Sequence, residues 1–415
     1  MPKKNQTNQT KQKNDSYDNS LLKLILEDEK QKDIITKMLK VRPSEDTWRG
    51  IIATPPGTLL EDIVAEFNIN SNIPLEIPFF TFFHYFAAYL LYNDINIQYR
   101  RERIRPDIWT IILAKSGSAK TFTRKCLRNS IADLKDLGVS IDGVVSKRAL
   151  IELIANHNHK MLYRDEYNEL YVAMLPNGKL EDCKDVFLRA YDNDDISWDS
   201  KQDPIYVQDP AFVFLGTTIE DLLLQSLNIR DITSGYMQRL SIIVAQKDKT
   251  KDFRGYHIYD INYDNWQDKW NNLIQSVKHT TYVMEENADK AYATTFRLLA
   301  DIDIDESFYR RQLWKTIKYA LIYHILIGKG EEKEICTEAF GWAARVAYLM
   351  LSDTVDLLKQ HDTSQLQKKL EAVDNIHRKC AEKNIPFTAR TVVSGTRLVG
   401  TVAEARALMS ISCFE

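Results

Sequence analysis

The sequence predicts an α/β core, a parallel sheet with flanking helices, set between helical N-terminal and C-terminal subdomains. Three observations predict it. Between residues 106 and 246 short apolar runs alternate with amphipathic segments. The first of these runs feeds a loop of small residues that ends in Lys120 and Thr121. The third ends in an acidic pair, Asp165 and Glu166.

The segments divide as follows. Residues 1–20 are polar, offer almost nothing to bury and are expected to be a disordered tail. The region 21–105 reads as helical: Ser20 is placed to cap a first helix, Pro55, Pro56 and Gly57 mark a loop, and a second helix covers about 59–67. The apolar run "IPFFTFFHYFAAYLLY" (77–92) is shorter than a membrane span and holds His84 and three tyrosines, so it reads as a buried helix. His84 there is expected to be a core residue without chemistry. The core proper, 106–246, contains strand candidates at 108–114, 139–145, 159–165, 211–217 and 239–245. Long amphipathic helices at about 263–280, 285–300, 305–328 and 337–360 make 247–362 a helical subdomain. The remainder, 363–415, reads as a helix, a turn and two short helices, the pattern of a helix-turn-helix or winged-helix module.

Composition excludes several classes. The 415 residues are 44% hydrophobic, enough for at least one substantial core. With 55 basic and 58 acidic side chains, any nucleic-acid surface must be a local patch. The five cysteines form no C-x-x-C pair and have no histidines at zinc spacing, so neither a disulfide framework nor a structural zinc site is expected. The N-terminus lacks the apolar stretch of a signal peptide, which predicts a cytoplasmic protein with no membrane partner.

Within "WTIILAKSGSAKTFTRK" (109–125), a strand runs into a tight loop and then a helix. That is what a phosphate-binding loop requires. Ser116, Gly117, Ser118 and Ala119 would offer backbone N–H groups to phosphate oxygens, Lys120 would neutralise charge, and the Thr121 hydroxyl would hold Mg²⁺. Ala114 and Ala119 stand where the usual pattern has glycine. Both are therefore expected to avoid left-handed backbone, where a Cβ imposes strain. The alternative is an ordinary strand–turn–helix.

"KMLYRDEYNEL" strengthens the first reading. It places Asp165 and Glu166 at the end of an apolar strand, 45 residues beyond Lys120. Asp165 would hold Mg²⁺ through water, and Glu166 would polarise an attacking water as general base. The plainer alternative is a solvated acidic turn. In "AFVFLGTTIEDLL", Thr217, with Thr218 behind it, is the candidate for a polar group that senses the γ-phosphate; either could instead cap the next helix. Arg239 is the candidate arginine finger, donated to a neighbouring subunit, and Arg310 or Arg311 the candidate lid-type sensor. Each could equally be a surface ion-pair residue, the commoner fate of arginine.

Two short strands at 196–198 and 205–207 would form a hairpin with Lys201 at its tip, a candidate contact to a DNA phosphate or else an exposed turn. Arg100, Arg101, Arg103 and Arg105 form a basic cluster that reads best as a solvated strand face.

With these motifs in place, residues 77–245 resemble a family of P-loop ATPases carried by phages, plasmids and other mobile elements, often fused to primase–polymerase domains. "FFTFFHYFAAYLLY", "AKSGSAKT", "YRDEYNEL", "PAFVFLGTT" and "SGYMQRLSI" carry the resemblance. It implies a P-loop NTPase core and a replicative-helicase-like, ATP- and Mg²⁺-dependent DNA motor, with Lys120, Thr121, Asp165 and Glu166 in the family's roles. It also implies a homo-oligomeric ring, such as a hexamer, acting on single-stranded or forked DNA. No primase domain accompanies these motifs, so priming would fall to a separate primase or polymerase. Two alternatives remain: a DNA-binding initiator or regulator that uses ATP as an assembly switch, and a scaffold with a decayed loop.

Overall fold

The computed structural model describes residues 55–227, 231, 235–256, 258–301 and 304–411, together with Trp48 and Ile52. The expected tail at 1–20 and the first helix after Ser20 lie outside the described residues.

The chain forms two compact units, one of residues 1–223 and 228–353, the other of 224–227 and 354–415. In the first, helix α1 (Leu59–Asn70) begins at Thr58, whose hydroxyl accepts from the Glu61 N–H at 3.1 Å. Helix α2 (Glu76–Tyr92) is the apolar run. It is apolar all round because it is buried all round. Phe83 meets Trp342 at 5.5 Å, and Phe82 and Phe86 set their edges against Trp270 at 6.1 and 5.8 Å. His84 is buried in the core as expected, but it is only half satisfied: Nδ1 lies 2.6 Å from the Phe80 carbonyl, Nε2 is buried without a hydrogen-bond partner among the described residues, and burial lowers its pKa to about 4. Among the described residues no helix is long and apolar enough to cross a membrane.

Strands β1 (Asn96–Tyr99) and β2 (Glu102–Ile104) follow as an antiparallel pair within the region expected to be helical. They belong to a small sheet that the sequence did not announce. Its order is β11-β10-β1-β2, with β10 (Thr281–Met284) and β11 (Glu334–Ile335) arriving from far along the chain.

The main sheet is parallel throughout, in the order β4-β5-β8-β3-β9. Its strands are β3 (Trp109–Leu113), β4 (Gly138–Ser140), β5 (Met161–Arg164), β8 (Val213–Thr218) and β9 (Ser241–Val244); β3, β5 and β9 lie inside their expected runs, β8 runs one residue past its own, and β4 overlaps the weak run at 139–145 only at its first two residues. Helices α3 (Lys120–Ser130), α4 (Lys147–Asn156), α5 (Tyr167–Ala173) and α6 (Cys183–Tyr191) form the connections, as parallel pairing demands. Strands β6 (Ile196–Trp198) and β7 (Ile205–Val207) make the expected hairpin. A single turn, α7 (Tyr236–Arg239), precedes β9.

Helices α8 (Trp266–Gln275), α9 (Glu286–Ala300) and α10 (Glu306–His324) fall where helices of the 247–362 subdomain are expected, but β10 and β11 lie among them and this stretch, as far as Asp353, belongs to the same compact unit as the main sheet. Its last member does not stop near 360: α11 (Thr337–Glu382) is continuous through that point, so the expected boundary at 362 falls inside a helix. The second unit instead begins at Thr354. It comprises the rest of α11 with α12 (Ala389–Gly395) and α13 (Val402–Ile411), packed around Val373, Ile376, Val392, Ala405 and Leu408.

Candidate functional site

All five strands of a parallel sheet end on one edge, so segments that follow adjacent strands converge there. Here β5, β8 and β3 are neighbours, which brings together the loop after β3, the acidic pair after β5 and the threonines that close β8.

The loop starts at Ala114, which is buried and donates its N–H to the Thr218 carbonyl at 3.0 Å. Gly117 has φ +74, a conformation that glycine adopts without penalty. Ala119 has φ 52 and ψ 34, so the expectation that both alanines avoid left-handed backbone fails at this one. Ala119 is the N-cap of α3, and its carbonyl accepts from both the N–H and the hydroxyl of Thr123, at 3.0 and 3.2 Å. Those bonds offset a left-handed cost of about 1–2 kcal/mol. The backbone N–H groups of Ser116, Gly117, Ala119, Lys120 and Thr121 donate to no described residue, and the Ser118 hydroxyl is buried without a partner. A run of free N–H groups ending at a helix N-terminus attracts anions.

Lys120 folds back over this loop, its ammonium 3.3 Å from the Ala114 carbonyl. Burial lowers its pKa, opposed by the charges of Glu166 and Asp165. Only one of its three donors is committed to a described residue.

Asp165 accepts from both sides of the cleft. The Thr121 hydroxyl donates to Oδ2 at 3.2 Å and the Thr217 hydroxyl to Oδ1 at 3.3 Å. Glu166 is left-handed, with φ 54, at the N-cap of α5; its carboxylate is exposed and accepts from no described residue. Thr218 is different. Successive side chains on a strand point to opposite faces, and its hydroxyl is buried without a partner rather than turned to Asp165. Thr217 alone joins the site.

Arg124 belongs to the site and was not anticipated. It lies four residues after Lys120 on α3, hence on the same helix face. Its guanidinium donates to Asp165 Oδ2 at 2.8 Å and sits 3.8 Å from the Tyr163 ring centroid. Burial pulls its pKa down, but the Asp165 hydrogen bond and charge more than reverse this, so the net shift is upward. The i, i+4 spacing from Lys120 was the available signal.

The remaining candidates lie elsewhere. Arg239 sits two residues before Ser241, which registers with Thr110 near the start of β3, so it occupies the opposite edge of the sheet. A strand of this length spans about 15 Å. Arg239 is buried, paired with Asp192, hydrogen-bonded to the Gly235 carbonyl at 2.9 Å and 5.6 Å from the Tyr191 ring centroid. A finger donated to a neighbour would have to leave all of these. Arg311 donates to Gln238, and Arg310 is exposed and paired with Glu306 one turn earlier. The surface ion-pair alternative describes Arg310; Arg239 is ion-paired too, but buried, which neither expectation foresaw. Lys201 is exposed between β6 and β7 and donates to no described residue. In the basic cluster, Arg103 pairs with Asp94 and Arg105 with Asp209, as a solvated strand face would.

Among the described residues no group of three His, Cys, Asp or Glu side chains could hold a metal. The Thr121 hydroxyl and Asp165 carboxylate nevertheless suit Mg²⁺, which keeps most of its waters and takes one or two carboxylates plus substrate phosphates.

No protein-family model matches the chain, and no curated protein matches it.

Proposed function

We propose that residues 114–121 are a P-loop and that the chain is an ATPase, most consistent with a ring-forming DNA motor of the replicative-helicase type. The observation that carries this reading is the convergence on Asp165: hydroxyls from the loop helix and from β8 reach the two oxygens of one carboxylate, beside a loop of free N–H groups. A chance strand–turn–helix has no reason to assemble those parts in that order.

In this reading the free N–H groups of Ser116, Gly117, Ala119, Lys120 and Thr121 bind the β- and γ-phosphates, while the Ser118 N–H, expected to join them, is held by the Lys115 carbonyl at 3.2 Å; Lys120 neutralises the phosphate charge with its two uncommitted donors. Mg²⁺, held by Thr121 and through water by Asp165, would supply neutralisation of charge between the phosphates. Glu166, exposed and without a donor, takes the proton of the attacking water, and Thr217 orients the site from β8. Lys201 on its hairpin and the three helices of the second unit, read as a helix-turn-helix, are the proposed grips on DNA. A separate primase or polymerase would complete the replication machinery.

The ATP-switched initiator is the second reading, and one observation favours it. Arg239, the candidate finger, is buried and engaged by Asp192 in its own chain. With Arg239 held in its own chain, hydrolysis would be slow and ATP would act as an assembly signal.

One assay separates these readings. ATP hydrolysis is measured with and without single-stranded DNA for the native chain, Lys120→Ala and Glu166→Gln. Turnover stimulated by DNA and lost in both variants supports the motor. ATP binding with negligible turnover and ATP-dependent oligomerisation supports the switch, and absence of nucleotide binding would sink both.

A further inference from the structure

Asp165 carries more than a magnesium-site carboxylate needs. Of its roughly four lone-pair positions, Thr121 and Arg124 take two on Oδ2 and Thr217 takes one on Oδ1. That leaves one position, on Oδ1, for a metal-bound water. The two hydroxyls, at 3.2 and 3.3 Å, are long contacts; Arg124, at 2.8 Å and fully charged, is the strong one. The Arg124 side chain is only 11% exposed and stacked on Tyr163, and its Nε is buried without a partner. Leaving Asp165 would strand a buried charge, so the guanidinium stays.

We propose that Arg124 is a positioning residue that aligns the Asp165 carboxylate while weakening its pull on a divalent cation. The inference rests on the ATPase reading above. A guanidinium and a divalent cation on the same carboxylate are like charges a few ångströms apart, so each lowers the carboxylate's affinity for the other. Arg124 thereby trades metal affinity for a fixed acceptor, which keeps the metal exchangeable with each nucleotide.

The test uses Mn²⁺ as the probe, titrated into the full chain with a non-hydrolysable ATP analogue and read by electron paramagnetic resonance, alongside kcat and thermal unfolding. Arg124→Gln removes charge but keeps an amide donor; Arg124→Lys keeps charge but loses the planar stack. The expected result is that Arg124→Gln binds Mn²⁺ about tenfold more tightly while kcat falls about tenfold or more. Arg124→Lys should keep native Mn²⁺ affinity with reduced kcat. Should Arg124→Gln fail to fold, the Lys variant decides alone: an altered Mn²⁺ affinity there overturns the proposal. In folded protein, a Gln variant whose Mn²⁺ affinity is unchanged or weaker overturns it and marks Arg124 as structural only. A native chain that binds no nucleotide is a different failure, that of the ATPase reading, and the Arg124 inference falls with it.

Discussion

One sheet has a polar cluster at each edge, and the two are built on opposite principles. At the strand ends, Asp165 is 27% exposed, the Glu166 carboxylate is exposed and accepts from no described residue, and the loop leaves the N–H groups of Ser116, Gly117, Ala119, Lys120 and Thr121 without a described acceptor. At the strand starts, Arg239 pairs with Asp192 and Lys318 with Asp107, and the basic side chains Arg311 and Lys315 lie close beside them. That second cluster is closed. Lys318 and Asp107 pair at 2.8 Å with side chains 7% and 3% exposed, and Lys315, 1% exposed, donates to the Ser241 hydroxyl at 3.1 Å. Charge density alone would have chosen the strand starts as the functional site. The capacity left unsatisfied, not the number of charges, is what distinguishes a site from a buried ion network.

The contrast predicts that substitutions at the two edges fail differently. The largest effect belongs to Glu166→Gln, which keeps shape and removes the proposed base. Turnover should fall about 10²–10⁴-fold with the melting temperature unmoved, because an exposed, unpaired carboxylate contributes little to stability. A shift of several degrees in melting would show that Glu166 holds the fold and not the chemistry. Next comes Asp107→Ala at the other edge. It leaves Lys318 buried and unpaired, so urea unfolding should lose about 3–5 kcal/mol. Nucleotide affinity, measured where the variant is still folded, should be native.

Much of the strand-end site was legible in the sequence because its parts are local. "AKSGSAKT" and "YRDEYNEL" each need only a strand followed by a loop, and each of the five core strands overlaps its expected run, β4 by two residues only. What was hidden depends on pairing across long sequence distances. The sheet of β1, β2, β10 and β11 joins residues 96–104 to 281–284 and 334–335, and no local pattern announces such partners. Arg239 beside Asp192 and Arg124 on Asp165 are hidden for the same reason: an arginine's fate is set by which carboxylate the fold brings to it. The helix α11 shows a third limit. Its amphipathic pattern runs on past 360, and a change in composition there marked no end of the helix.

Lys315 offers a finer test of the closed edge. Burial first, then the charges of Lys318, Arg311 and Arg239, push its pKa well below the ordinary lysine value. Between that lowered pKa and about 10.4 the unfolded chain holds a proton that the folded chain does not. Stability from this group therefore rises with pH across the window. Lys315→Met removes the penalty and keeps similar length, so it should stabilise the protein by about 1–2 kcal/mol near neutral pH. Its stability should also climb less than that of the native chain between pH 7 and 9. Parallel pH profiles for the two proteins would mean that Lys315 stays charged and that the edge is wetter than its burial implies.

The smallest effect is the most specific to the loop. Ala119 is left-handed at the N-cap of α3, and a glycine would adopt the same φ of 52 without a Cβ to strain. Glycine also loses more entropy on folding, which opposes the gain. With left-handed strain of about 1–2 kcal/mol against an entropy loss of about 0.5–1 kcal/mol, Ala119→Gly should raise stability slightly, by about 0.5–1 kcal/mol. ATP affinity should stay within about twofold, because the N–H groups keep their directions. Calorimetry and a binding titration read both numbers on one sample. A large gain in ATP affinity instead would mean that the alanine holds the native loop away from its phosphate-binding shape, and the free N–H groups would then describe a resting conformation.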